Sequence, residues 1–302
     1  MIDLVGKRNW FFLISAVVII PGIISLAVFG LQPGVDFSSG TAMTLSFDKE
    51  VELSQLRQEL TDLGYDEAVV QPAGGGDFFV RLPEISAEET TKLKESLETG
   101  LGTTVTISSL YSVSPIVAAG TVRNTVIAVV VASIGILLYI SWAFRKMPKP
   151  FRWGTCAVIA LVHDLVVVIA VFSILGWVAG LEVDALFVTG VLAVVGVSVN
   201  NIVVVFDRIR ENLKRGVSRD FAVIANYGII ESLGRSLNTG LATLFVIVAL
   251  YLLGGTTTHT LVLALLIGIA TGIYSSLCIA GQLLVVWEKG FASRRKEATS
   301  TA

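Results

Sequence analysis

The sequence predicts an α-helical membrane protein with six transmembrane helices and one small α/β domain inserted between helices 1 and 2. Three observations carry this. More than half of the 302 residues, 54%, are hydrophobic and only 15% are charged, giving a mean hydropathy of +0.78. A water-soluble core cannot bury that much apolar surface. Six windows reach the roughly 20 apolar residues needed to cross about 30 Å of hydrocarbon. One polar stretch of about 90 residues, a length typical of a single small domain, separates the first window from the second.

The windows are residues 10–29, 126–144, 154–175, 185–206, 234–253 and 261–287, the fifth slightly less apolar than the others. The first is read as an uncleaved anchor, because it is long, lacks an A-x-A-like end and is followed by further spans. Lys and Arg fix the orientation, since positive flanks stay on the cytoplasmic side. Lys7 and Arg8 precede span one, and Arg145, Lys146, Lys149 and Arg152 lie between spans two and three. Arg208, Arg210, Lys214, Arg215 and Arg219 follow span four, and Lys289, Arg294, Arg295 and Lys296 follow span six. The opposite loops, 176–184 and 254–258, hold no Lys or Arg. Both termini are therefore expected to be cytoplasmic and the insert extracytoplasmic.

The insert, residues 31–120, carries 14 Asp or Glu against 5 Lys or Arg, a net charge of −9. That excludes nucleic acid as its partner, because phosphate binding needs a basic face. "TAMTLSF" alternates as a strand, and Val51, Leu53, Leu56, Leu60 and Leu63 share one helical face closed by Gly64. "EAVVQPAGGGDFFVRLP" reads as two strands around a turn at Gly74, Gly75 and Gly76, which lacks the Lys-Ser/Thr ending of a phosphate loop. Ser86 and Glu89 form a capping box opening a second helix, and "TTVTISSLYSV" closes as a strand. The order βαββαβ is ferredoxin-like. The expected divisions are thus 1–30, N-terminus and first helix; 31–120, outer domain; 121–287, five-helix bundle; and 288–302, basic cytoplasmic tail. Cys156 and Cys278 both fall in spans and read as small packing residues, so no disulfide is expected in the insert.

Polar groups inside the bilayer are costly and need a reason. His163 and Asp164 lie about ten residues, hence about 15 Å, from the inner end of span three, which puts Asp164 near the midplane. Asn200 and Asn201 lie about 8–10 Å above the inner edge of span four at Asp207. Arg235 sits at a comparable depth in span five and is expected to face the Asn pair. Each has a structural reading as well: Asn pairs hydrogen-bond neighbouring helices, a buried His completes a local network, and an Arg snorkels to the interface. Asp164 resists such a reading, because a carboxyl at midplane is paired, protonated or part of an ion path. Asp207, Arg208, Arg210 and Glu211 form a charge cluster at the inner interface, read as ordinary helix-end pairs. Gly34, Gly40 and Gly120, near the joins of insert and spans, are candidate hinges or turns.

"GVDFSSGT" at 34–41, "HD" in span three, "SVNNIVVVFDRIREN" in span four and "SLGRSLNTGLATLFVIVALYLLGG" in span five resemble the SecF half of the SecD/SecF protein-export family, a branch of the resistance-nodulation-division superfamily. The resemblance implies a subunit of a proton-driven motor that assists secretory proteins through the Sec channel. It implies a SecD-like six-span partner, an unfolded secretory protein as substrate, a place in the cytoplasmic membrane of a bacterium or archaeon, and protons as coupling ion with no bound cofactor. It also assigns Asp164, His163, Asn200, Asn201 and Arg235 to a proton pathway. One proton crossing yields about 2.3 kcal/mol per 100 mV and about 1.4 kcal/mol per pH unit, enough to bias a two-state domain.

Two residues depart from the family pattern. Ser39 replaces a Gly, an exchange expected to be benign, and Asn201 stands where the family has an Asp, so this position cannot ionise. Half of a small-molecule or lipid exporter would need larger outer domains, and a non-transporting scaffold would leave Asp164 and Arg235 unexplained. An enzyme is disfavoured by the lack of H-E-x-x-H, G-x-S-x-G and Walker motifs, and no metal site is expected.

Overall fold

The computed structural model describes residues 3–147, 149–255 and 258–288. The basic residues Lys289, Arg294, Arg295 and Lys296, and the division at 288–302, lie outside the described residues except at Glu288. Helix α1, Arg8–Phe29, leads through a single turn, α2 at Val35–Ser38, into the polar insert. The insert runs β1 Gly40–Phe47, α3 Leu53–Asp62, β2 Val69–Gly74, β3 Asp77–Leu82, α4 Ala87–Leu101 and β4 Val105–Val113. The long helices α5 Pro115–Ala143, α6 Pro150–Ala179, α7 Ala185–Arg215 and α8 Phe221–Leu253 follow. Helix α9 starts at His259–Ser275, and after a π-helical turn at Ser276–Ala280 the sixth long helix reaches Glu288. Six helices are long and apolar enough to span a membrane, and the chain is a multi-pass membrane protein.

The strands order β2-β3-β1-β4, every neighbouring pair antiparallel. Met43 and Leu45 of β1, Val80 of β3 and Val105 of β4 meet Leu56 and Leu60 of α3 and Leu97 of α4, each no more than 1% exposed. The alternation read from the sequence is what turns these residues to one face. Glu89 donates its backbone N–H to Ser86 Oγ at 3.2 Å, and the Ser86 N–H donates to the Glu89 carboxylate at 2.7 Å, the predicted reciprocal cap. Gly74, Gly75 and Gly76 all take positive φ, so the glycine run makes the hairpin turn.

Ser39 is not benign. It takes φ 63°, ψ 169°, a region nearly reserved for glycine, because the next residue must turn sharply into β1. Gly40 follows at φ 125°, and a Cβ there would come within 2.5 Å of the Leu82 carbonyl oxygen. Gly34 has an ordinary φ of −73°, and a Cβ would meet the Val183 carbonyl at 3.1 Å. Its N–H donates to that carbonyl at 2.8 Å. Gly120 lies in the second turn of α5, because Ser114 and Pro115 start that helix before the expected boundary. It is a helical residue rather than the point of return.

In the bundle, small residues let helices approach, as they do where lipid gives no hydrophobic driving force. Gly22 of α1 lies against Ala170 of α6, and Gly190 and Gly268 bring α7 and α9 together at Ala264 and Val194. Gly228 of α8 sits on the backbone of Ile209 in α7. Helix α5 packs on α6, with Ser141 and Leu137 against Gly154, and Ala118 and Ile140 are its buried residues.

Candidate functional site

Asp164 is 1% exposed at the meeting of α6 and α9. Ser275, the last residue before the π turn, donates its hydroxyl to Asp164 Oδ2 at 2.8 Å. His163 Nδ1 lies 3.1 Å from Asp164 Oδ1, and its Nε2 lies 2.9 Å from Ser15 Oγ on α1. Ser15 Oγ reaches the Tyr274 hydroxyl at 3.4 Å, and Tyr274 donates to the Phe11 carbonyl at 2.6 Å. The result is a continuous run of hydrogen-bonding groups from α9 through α6 to α1. A carboxyl buried among spans is tolerable only with such partners, and a run of groups that both donate and accept is also what relays a proton.

Helix α7 closes this site from another side. The Cβ of a residue at 272 would lie 2.4 Å from Ser198 Oγ and 3.7 Å from Asp164 Oδ2, so glycine at 272 keeps both groups beside one small gap. Ser198 is fully buried, and its hydroxyl has no hydrogen-bond partner among the described residues.

Of the Asn pair expected to face Arg235, only Asn200 is exposed as Arg235 is. Successive helix residues are about 100° apart, so Asn200 and Asn201 cannot share a direction: Asn201 is buried at 8% and Asn200 is exposed. Arg235 is exposed on α8 and, among the described residues, has no hydrogen-bond or ion-pair partner. Thr189, Ala193, Gly196 and Asn200 are all exposed at helical spacing on α7, and Gly234, Arg235, Asn238 and Thr239 are exposed on α8. This small, polar face contrasts with α1 and α5, whose exposed residues include Trp10, Leu13, Ile20, Val131, Leu138 and Trp142.

The inner charge cluster pairs along its own helix. Asp207 bonds Arg210, and Glu211 accepts from Arg208 and Arg215, both at 2.6 Å. These are solvent-facing i,i+3 and i,i+4 pairs of small energetic value. Further along the interior, Asn212 of α7 donates to Glu231 of α8 at 2.8 Å. Among the described residues no group of three His, Cys, Asp or Glu could hold a metal ion.

Sequence reasoning found His163 and Asp164 but missed Ser15, Ser198, Tyr274 and Ser275. Uncharged hydroxyls in apolar helices are common, and only the depth shared with Asp164 would have singled these out.

The protein export membrane protein SecD/SecF C-terminal family model matches residues 93–290, and the SecD/SecF GG motif matches 24–51. A protein translocase subunit SecF from Thermobaculum terrenum is 44% identical over 300 residues, covering 95% of this chain and 94% of its own. The SecDF subunit of Bacillus subtilis is 34% identical across 95% of this chain, which spans only 38% of that longer protein. The crystal structure of SecDF, a translocon-associated membrane protein from Thermus thermophilus, superposes with a TM-score of 0.84 at 32% identity, covering 95% of this chain and 39% of that one. With the two family matches spanning both the turn at Gly34–Gly40 and the spans that hold Asp164 and Asn201, this chain belongs to the SecD/SecF protein-export membrane family.

Proposed function

We propose that this chain is a SecF-like subunit of a motor that uses the proton-motive force to assist protein translocation across the cytoplasmic membrane through the Sec channel. The observation that carries the reading is the small, polar face of α7 and α8, with Asn200 and Arg235 unpartnered at span depth. Such groups facing lipid cost several kcal/mol, and a pseudo-symmetric SecD-like half would cover them. The strand order agrees with a ferredoxin-like domain, which in this reading is extracytoplasmic and holds the emerging, unfolded secretory protein. Both termini are then cytoplasmic, in accord with Arg145, Lys146, Arg208 and Arg210 at one end of the bundle. Arg123, two turns into α5, is a lone basic residue near the other end.

Protons are the coupling ion and no resident cofactor takes part. Asp164 is the carboxyl that binds and releases them, His163 and Ser15 extend its path toward α1, and Asn201 marks the family's second carboxyl position in a form that cannot ionise. Arg235 supplies charge toward the partner half. The test is export of an unfolded secretory protein into vesicles carrying the Sec channel, with this chain alone or with a SecD-like half. Gradient-dependent stimulation is expected with both halves and lost on collapsing the gradient. Equal export with and without a gradient would sink the reading.

A further inference from the structure

The outer domain is joined covalently to α1 and α5, yet its polar contacts go to the loop that starts α7. Asp36, in the turn α2, accepts the Tyr111 hydroxyl of β4 at 2.6 Å on Oδ1. Its other oxygen, Oδ2, accepts the backbone N–H of Ala185, the first residue of α7, at 2.7 Å. A helix start leaves four N–H groups without partners inside the helix and carries partial positive charge. Asp184 serves the Phe187 N–H at 2.7 Å, and Asp36 serves Ala185 from outside the helix.

The surroundings reinforce this contact. Residues 32–34 lie parallel to Val183, with Val183 N–H donating to the Gln32 carbonyl and Gly34 N–H to the Val183 carbonyl, each at 2.8 Å. Arg81 of β3 pairs with Glu182 at 3.0 Å and also donates to the Pro33 carbonyl and Ser38 Oγ. Gln71 of β2 donates to the Gly180 carbonyl at 2.6 Å. The charged and titratable groups around Asp36 are thus Tyr111, Arg81, Glu182 and Asp184. From Ala185, α7 runs unbroken to Arg215 and places Asn200 about 22 Å along its axis at 1.5 Å per residue.

We propose that Asp36 is the positioning residue that couples the outer domain to α7, its two carboxylate oxygens tying the edge strand β4 and the helix start into one moving unit. α7 also carries Ser198 against the Asp164 gap and Asn200 on the exposed face. A shift of α7 against α1 and α5, the domain's covalent anchors, then tilts the domain. This rests on the motor reading for its purpose, but the mechanical link stands or falls separately.

The experiment is amide hydrogen exchange on the full chain in lipid nanodiscs, comparing the parent with Tyr111→Phe, Asp36→Asn and, as control, Ser109→Ala. Ser109 lies on the same strand, but its hydroxyl bonds Thr44 within the sheet at 2.8 Å. Tyr111 makes its side-chain bond to Asp36, so a purely local role of its hydroxyl predicts unchanged exchange in α7. Coupling predicts that Tyr111→Phe speeds exchange at residues 185–187 by about fivefold, the equivalent of roughly 1 kcal/mol for one hydrogen bond, while Ser109→Ala leaves it unchanged. Parent-like exchange at 185–187 in Tyr111→Phe overturns the proposal. In gradient-driven export with the partner half, Tyr111→Phe is expected to lose most of the stimulation. Full stimulation in Tyr111→Phe where Asp164→Asn has none overturns the coupling role. Full stimulation in Asp164→Asn counts against Asp164 as the proton site instead, equal export with and without a gradient counts against the motor reading, and the exchange result still decides the link.

Discussion

Ser275 donates its hydroxyl to Oδ2 of Asp164 at 2.8 Å, joining α9 to α6 where both side chains are buried. The π-helical turn begins at the next residue, Ser276. Such single-turn insertions reset the direction of a helix face and often accompany functional groups. Here Ser275 faces the carboxyl just before the reset.

Asp164→Asn is therefore expected to abolish gradient-dependent stimulation of export while leaving insertion intact, because the exchange removes an ionisable group at nearly constant volume. Ser275→Ala should reduce stimulation less and lower stability by about 1 kcal/mol, the worth of one hydrogen bond. Vesicle export and thermal unfolding in detergent check both. Undiminished stimulation in Asp164→Asn would place the proton path elsewhere.

Gly272→Ala tests the gap between α7 and α9. A Cβ 2.4 Å from Ser198 Oγ cannot be absorbed by a flexible side-chain end, since Ser198 is short and buried. Overpacking of this kind costs typically 1–3 kcal/mol. The expected result is a lower unfolding temperature together with weakened proton coupling, and Ser198→Ala in the same chain should restore part of the stability. No change in unfolding temperature would mean that the helices separate freely here.

Ser39→Gly should stabilise the protein. A residue held in the glycine-only region costs of order 1–3 kcal/mol, partly offset by the greater freedom of glycine in the unfolded chain. A net gain of about 1 kcal/mol is expected in thermal unfolding. A loss would show that the Ser39 side chain contributes more than its backbone strain removes.

Much of the fold was legible because its signals are local. Span length, alternation in β1 and β3, the Ser86 and Glu89 cap and the glycine hairpin each depend on residues close in sequence. The site was legible only where charge exposed it. Asp164 stands out in an apolar run, whereas Ser15, Ser198 and Ser275 become partners of one site only through packing of four helices. The junction at Asp36 was illegible for the same reason, since Tyr111 and Ala185 are 74 residues apart in the chain. Depth alone suggested that Arg235 meets the Asn pair. The rotation of α7 turns Asn201 inward and leaves Asn200 exposed, and rotation is set by contacts such as Gly228 on Ile209 that no periodicity reveals.

The junction should tighten in mild acid. Burial pushes the Glu182 carboxyl up, against the opposing pull of Arg81, and burial likewise pushes Asp184 up, against its bond from the Phe187 N–H. A carboxyl whose value is raised in the docked state binds protons more tightly there, so docking strengthens as pH falls and weakens as pH rises through the raised values. Tyr111, pushed up to about 12 by its bond to Asp36 and by burial, keeps its proton across the same window and is lost as a donor only in strong alkali. Proteolytic protection of the loop at 180–184 should rise from neutral pH toward the ordinary carboxylate range. Glu182→Gln with Asp184→Asn should flatten that rise. A parent chain with pH-independent protection would contradict the assignment.

Asn201→Asp tests the second carboxyl position proposed for the proton path. Asn201 is buried on α7 and, among the described residues, has no hydrogen-bond partner. Three residues earlier on the same helix, Ser198 borders the Asp164 gap, so position 201 lies one turn from that site. An Asp at 201 is nearly the same size as Asn but adds a proton-binding group, and a buried charge there requires a cation or donors. Among the described residues none is bonded to Asn201, and Arg235 is exposed on α8. The Asp variant should therefore insert and fold, with at most a modest loss of stability when expressed alone. With a SecD-like half covering α7 and α8, Arg235 is confined near the same face, and the added carboxyl gains a charge to respond to. Gradient-driven export is then expected to rise severalfold in the Asn201→Asp complex, with a steeper dependence on pH and larger movement of the outer domain in exchange experiments. Arg235→Gln in that background should remove the gain. Identical export by the Asp and Asn chains would make Asn201 a packing residue and leave Asp164 as the sole proton carrier in this half.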